Sequence, residues 1–223
     1  MRPASVVVFD VNETLSDLGP LARRFVDLGA PAYLAELWFA SLLRDGFALT
    51  AVAETEPFAE LGREALRLVL EGLPLSRDTE AAVAHVTSGF SELSLHPDVV
   101  PGTQALRRAG LRLVTLSNGG AAVAERLLSA AGIREDFELI LSVEDAGIWK
   151  PAAPAYGYAA EMCGANLADM LMVAVHPWDV HGAARAGMCT AWVNRDQRSY
   201  PSYFQAPDYV AAGVDDLAAV LPS

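Results

Sequence analysis

The chain has 223 residues, 52% of them hydrophobic, and its 16 Lys and Arg against 28 Asp and Glu leave a net charge of −12. That composition excludes a disordered chain, and the lack of any basic block argues against nucleic acid and anionic membrane surfaces as partners. A small molecule fits better; if it is an anion, the overall field opposes its approach and a local cation must hold it in its site.

The length suits one large domain or a core with an insert. Cys163 and Cys189 lie in apolar stretches at no paired spacing, which predicts two reduced core thiols in a cytoplasmic protein, with no disulfide and no cysteine metal set. No apolar stretch approaches the ~20 residues needed to cross a bilayer. The first strand starts too near Met1 to leave room for a signal peptide.

In chain order, the first element is the apolar run from Ser5 to Phe9, a buried strand that ends in the carboxylate of Asp10 and opens into the turn Val11 to Leu15. From residue 16 to residue 96 helical spacing takes over. Leu34, Leu37, Trp38, Ser41 and Leu42 follow the spacing of one helix face, and Val83, Val86, Phe90 and Leu93 repeat it. Pro31, Pro57 and the turn from Gly72 to Pro74 divide this block into about four helices. After Pro97 strands and helices alternate: strand over 111–116, helix over 121–131, strand over 137–142, helix over 151–163, strand over 170–175, helix over 179–186 and strand over 190–193. The tail from Tyr200 to Ser223 is rich in Pro and Tyr before a short final helix.

This alternation predicts an α/β fold with a parallel sheet covered on both faces, its core drawn from residues 1–15 and 97–223 and its helical insert from residues 16–96. Ligands of such sheets bind beyond the carboxyl ends of the strands. The polar residues that follow the apolar runs are therefore the candidates: Asp10 with Asn12 and Thr14, Ser117 with Asn118, Lys150, and His176 to Asp179. Asp10 alone reads equally as a turn cap. Three further polar clusters behind three later strands favour a reactive carboxylate, able to attack carbon or phosphorus and divide one hard hydrolysis into two covalent steps.

These residues closely resemble the four motifs of the haloacid dehalogenase superfamily, and within it the type II 2-haloacid dehalogenases. The matching stretches are Phe9 to Leu15, Leu116 to Gly119, Lys150 to Tyr156 and Trp178 to Ala183. The resemblance implies a Rossmann-like core with a four-helix cap and a cofactor-free, metal-free hydrolase of a small halogenated carboxylic acid. In that chemistry Asp10 displaces halide with inversion, and water cleaves the resulting ester. Dimers are common in the family, so a homodimer is the implied assembly. Lys150 is expected to keep Asp10 ionised, its other reading being a surface lysine. Ser117 and Asn118, placed at a helix start, are expected to grip the substrate carboxylate or to cap that helix. Asp179 pairs with Lys150 or positions the hydrolytic water, or caps its helix. Thr14 hydrogen-bonds near the nucleophile. Tyr156 lines the pocket or packs in the core, and Trp38 and Trp178 match apolar pocket positions.

The match also breaks at named places. Phe39 stands where the family has a halide-binding Arg, Ala174 and His176 stand where it has Ser and Asn, and Asn12 stands where it has an aromatic. His176, Asn118 and the edge of Trp38 or Trp178 are the expected substitutes around the leaving group. Arg44, one turn beyond Phe39, reads as solvated, and His176, Asp179 and His181 are rejected as a metal site. Two alternatives stay open. A magnesium-dependent phosphatase is disfavoured by Asn12, where a leaving-group acid belongs, and by Val175, where a metal ligand belongs. A binding protein that kept the fold without turnover is the other.

Overall fold

Val6, Val7, Val8 and Phe9 have no exposed surface and form strand β1 (Val6–Phe9), as a β-branched run enclosed on both faces should. The computed structural model describes residues 4–221; residues 1–3 and 222–223, the outer ends of the ranges 1–15 and 97–223, lie outside the described residues. After β1 come four helices, α1 (Leu21–Asp27), α2 (Leu34–Ala51), α3 (Phe58–Leu70) and α4 (Thr79–Ser88). The chain returns through α5 (Val99–Arg108), then β2 (Arg112–Ser117), α6 (Ala121–Ala130), β3 (Leu139–Ser142), α7 (Val143–Ala146) and α8 (Ala153–Cys163). It ends with β4 (Met170–Ala174), α9 (Pro177–Ala186), β5 (Cys189–Val193), β6 (Tyr209–Ala211) and α10 (Leu217–Val220).

The strands form one parallel sheet in the order β3-β2-β1-β4-β5-β6, the α/β architecture that the alternation predicts. In β1, Val6 and Val8 join the core on one face of the sheet while Val7 and Phe9 join the core on the other, the period-2 alternation of a strand. Phe9 lies in register with Thr115 of β2 and Val173 of β4, so Asp10 leaves the sheet between the ends of its two neighbours. This is where chain connections diverge to either side, the position at which open α/β sheets hold ligands.

The helical insert is tied to the core both at its neck and higher up. At its neck the Asp17 N–H donates to Ser94 O and the His96 N–H to Leu15 O, both at 2.9 Å. Further up, α2 lays the bare backbone of Gly46 on the ring of Trp149. A Cβ there would fall 2.5 Å from two ring carbons, so only glycine permits the approach. The Trp149 indole N–H donates to Glu56 O at 3.2 Å, and its ring stacks on Phe58 at 5.9 Å between centroids.

Several expectations change in detail. Helix α5 and strand β6 were not foreseen, and the predicted helices at 151 and 179 begin instead at Ala153 and Pro177, with proline in the first turn of each, where its missing N–H costs nothing. Leu37, expected on the inner face of α2, is 49% exposed. Cys163 is buried, but Cys189 is half-buried at the start of β5, so only one of the two cysteines belongs to the core. Among the described residues no helix is long and apolar enough to cross a membrane.

Candidate active site

Asp10 is almost fully buried at the end of β1, its N–H bonded to Val173 O of β4 at 3.0 Å. Lys150 Nζ donates to Asp10 Oδ1 at 3.0 Å and the Thr14 hydroxyl to Oδ2 at 2.7 Å, which fixes the plane of the carboxylate from both sides. The Thr14 hydroxyl in turn accepts the Val175 N–H at 3.1 Å, so a residue just past β4 aims it.

Lys150 has no exposed surface and is shared by two acids, with its second bond, 2.6 Å long, to Asp179 Oδ2. Burial works against the ammonium, but the charges of Asp10 and Asp179 prevail and hold its pKa above the ordinary lysine value. Burial pushes the Asp179 carboxyl up, against the pull of Lys150. Its other oxygen, Oδ1, accepts from the Tyr156 hydroxyl at 2.6 Å. Burial and the Asp179 charge push that phenol well above the usual tyrosine value, so it remains a donor. One ammonium and two carboxyl groups are thus packed together almost entirely out of solvent and joined by direct hydrogen bonds. Asp179 pairs with Lys150, as expected for one of its readings. It lies within α9 behind His176, so it is not the cap of that helix.

Ser117 and Asn118 correct an expectation. They do not start a helix: α6 begins at Ala121 behind Gly119 and Gly120. The Ser117 hydroxyl accepts the Gly119 N–H at 2.9 Å. Asn118 grips the backbone of Lys150 at two points, accepting its N–H at 3.0 Å and donating to its carbonyl at 3.1 Å. One amide hydrogen of Asn118 is left over, since the group carries two. Asn12 is buried with its amide nitrogen close to Gly119, 3.2 Å from where a Cβ on that glycine would lie.

His176 closes the remaining side. Its Nε2 lies 3.2 Å from Asn12 O, an oxygen that only accepts, so this nitrogen carries the proton. The same atom is 3.7 Å from Asp10 Oδ2 and 3.5 Å from Glu13 Oε2. Its ring is stacked on Trp178 at 5.0 Å and on Phe39 at 6.4 Å. Phe39, in the place of the expected arginine, is therefore a ring support for His176. Trp38 packs edge-on against Phe39 but spends its indole N–H on Gly62 O at 2.9 Å, which removes that N–H from the leaving-group set. Arg44 pairs with Asp45 on the surface. His181 accepts the Gln205 N–H at 3.0 Å away from the site. Among the described residues no group of three His, Cys, Asp or Glu has metal-ligand geometry.

A cleft of about 790 Å³ opens between the insert and the loops after β4 and β5, lined among others by Glu13, Tyr33, Trp38, Phe39 and His176. Asp10 does not line it; His176, which does, lies 3.7 Å from the Asp10 carboxylate. Glu13 has a left-handed backbone at φ 61, and partial burial pushes its carboxyl up against the pull of His176. Sequence reading overlooked Glu13, the Val175 N–H and the aromatic packing of Phe47 on Trp178 at 4.9 Å, none of which carries a motif signature.

The chain as a whole is similar to known proteins. The model of the haloacid dehalogenase-like hydrolases matches residues 4–187. Haloacetate dehalogenase H-2 of Moraxella sp. (strain B) is 27% identical over 99% of each chain. (S)-2-haloacid dehalogenase 4A of Burkholderia cepacia is 31% identical over 90% of this chain and 87% of its own. Among solved structures, a dehalogenase with an intermediate complex superposes over 100% of both chains, with a TM-score of 0.91 and 26% identity. An aspartate held by a buried lysine and a threonine at the end of the central strand is thus set in a framework shared along nearly the whole chain, and the chain belongs to the haloacid dehalogenase-like hydrolase family.

Proposed function

We propose that the protein is a hydrolytic dehalogenase of short 2-haloalkanoic acids, with Asp10 as nucleophile and residues 16–96 as the cap over the site. One Asp10 oxygen attacks C2 from the side opposite the halogen; the C–O bond forms as the C–halogen bond breaks, and the halide leaves with the electron pair. Water then adds to the aspartyl carbonyl carbon, releasing the 2-hydroxy acid and a proton and restoring the carboxylate. Lys150 and Thr14 hold the carboxylate in line, and Asp179 with Tyr156 holds Lys150. The relatives' names, haloacetate and (S)-2-haloacid dehalogenase, support the substrate class. The presence of only two cysteines, at no paired spacing, supports a cytoplasmic location, and the family's habits support a homodimer.

The observation that carries this reading is Lys150 Nζ between Asp10 and Asp179, at 3.0 and 2.6 Å. The ammonium keeps the attacking carboxylate charged and aimed, while Asn12 supplies no acid for a leaving alkoxide and Val175 no metal ligand, the two groups a phosphatase of this fold would need. The test is halide release from chloroacetate, 2-chloropropionate and fluoroacetate, with and without chelator. Release that chelator leaves untouched is expected; chelator-sensitive cleavage of a phenyl phosphate, with no halide from any acid, would replace this reading.

The leaving-group cradle is assigned to His176 and the spare N–H of Asn118, with Ser117 and Asn12 facing the substrate carboxylate. Replacing His176 by Ala is expected to lower kcat on the order of 10²-fold, the scale seen when one charge-stabilising donor is lost. Steady-state kinetics check this, and unchanged turnover would remove His176 from the mechanism.

A further inference from the structure

The turn that carries the nucleophile is held from outside by its carbonyls, three in succession. Glu13 O accepts from His96 Nε2 at 3.1 Å, Thr14 O from Arg195 Nη2 at 2.9 Å and Leu15 O from the His96 N–H at 2.9 Å, while Arg195 Nη1 lies 3.5 Å from Glu13 O. Arg195 is itself braced by Asp98, through Nη2 at 2.7 Å and Nε at 3.2 Å, and the same Asp98 oxygen accepts the Val214 N–H at 2.7 Å. These two side chains are 21% and 15% exposed, and with its charge matched by Asp98 the guanidinium is not a receptor for a substrate anion. Two parts of the chain that are distant in sequence, His96 and Arg195, therefore converge on the backbone of the Asp10 turn, and Asp98 links Arg195 to a third at Val214.

That turn contains Glu13 at φ 61, a conformation in which an L side chain crowds its own backbone. A residue other than glycine persists there only when its surroundings over-determine it. The outward-held carbonyls are such surroundings, and the residue next to Glu13 is Thr14, whose hydroxyl bonds Asp10.

We infer that Arg195, braced by Asp98, is a positioning residue for the nucleophile: it locks a left-handed turn so that the Thr14 hydroxyl stays on Asp10. This rests on Asp10 being the nucleophile of the reaction proposed above. Arg195 touches no reacting atom and acts through the carbonyls of Glu13 and Thr14.

The experiment compares halide release by wild type, Arg195→Ala, Arg195→Lys, Glu13→Gly and the double variant Glu13→Gly/Arg195→Ala. Loss of the brace is expected to lower kcat roughly 10- to 100-fold with KM nearly unchanged, since the substrate site is intact and only the attacking group is misplaced. Arg195→Lys should fall between, because an ammonium lacks the planar fork that serves Asp98 and Thr14 O together. Glu13→Gly also removes the carboxylate beside His176, so it serves as its own reference: adding Arg195→Ala to it should lower kcat little further, because glycine adopts positive φ without help. A merely structural arginine would not be rescued by glycine in the turn. Hydrogen exchange at the Leu15 and Ser16 amides, both bonded to Val11 O, gives a second readout that does not depend on turnover: faster in Arg195→Ala, slow again in the double variant. Wild-type kcat in a folded Arg195→Ala, or an Arg195→Ala loss as large in the Glu13→Gly background as in the wild type, overturns the inference. Should Arg195→Ala fail to fold, Asp98→Asn must still lower kcat with KM held, and wild-type kcat there overturns it equally. A wild type that releases no halide from any 2-halo acid would end the dehalogenase reading, and the exchange comparison would then decide the brace by itself.

Discussion

Asp10→Asn is expected to abolish halide release, a loss of roughly 10⁶-fold on the scale of nucleophile deletions in other covalent hydrolases. The amide has the same shape but no anionic oxygen, so the displacement has no attacking electron pair. The substitution should leave the fold standing. Lys150 keeps its 2.6 Å bond to Asp179, and the amide oxygen can still accept from Lys150 or from Thr14. Matched thermal unfolding of the two proteins therefore separates lost chemistry from lost structure. Mass spectrometry under single turnover should find an ester on the peptide holding Asp10 in the wild type and none in the variant. If Asp10→Asn turns over 2-halo acids at wild-type rate, the nucleophile lies elsewhere.

The second large effect is on stability as well as rate. Lys150→Met keeps the volume of the side chain but leaves Asp10 and Asp179 facing each other without a cation in a buried space. Breaking such a pair costs about 3–5 kcal/mol, which for a chain of this size lowers Tm by roughly 10 °C or more. Activity should vanish with it, because the carboxylate loses both its charge partner and its orientation. Adding Asp179→Asn removes one of the stranded anions, so the double variant should recover part of the Tm and none of the turnover. The sign of the pH dependence follows from Lys150 being held above its usual pKa. A cation so raised contributes fully below the unfolded lysine value and is lost only as pH rises through the higher folded one. The Tm gap between wild type and Lys150→Met should accordingly persist across about pH 6 to 9. A Lys150→Met protein as stable as wild type would mean that the three groups are not charged as described.

The cluster of Asp10, Lys150 and Asp179 was legible because its chemistry is written in residue type at strand ends. Asp10, Lys150 and Asp179 each follow an apolar run, and parallel strands deliver such positions to one edge whatever the loop lengths. The helices of the insert were legible from spacing and from Pro and Gly between them. Strand β6 was not, being three residues, Tyr209 to Ala211, in a Pro- and Tyr-rich tail with no room for a period to show. The misplacement of Ser117 and Asn118 has a local cause: two glycines separate them from α6, and no pattern reveals that a loop side chain will pair with the backbone of Lys150, 32 residues away. His96, Asp98 and Arg195 were invisible for a related reason. Their partners include backbone carbonyls of the Asp10 turn, and a carbonyl has no identity in a sequence. The same holds for the left-handed backbone at Glu13, since a glutamate gives no hint of a conformation that glycine favours.

Trp149 couples parts of the molecule that the motifs treat separately. It is wedged against α2 through Gly46, stacked on Phe58 of α3 and hydrogen-bonded to Glu56, and its next neighbour in the chain is Lys150. Whatever displaces those two helices must carry the indole with it, one peptide link from the ammonium bonded to Asp10. Tilting of the upper layer and alignment of the charge centre below it are therefore mechanically geared, and a bulky side chain at position 46 would jam both at once.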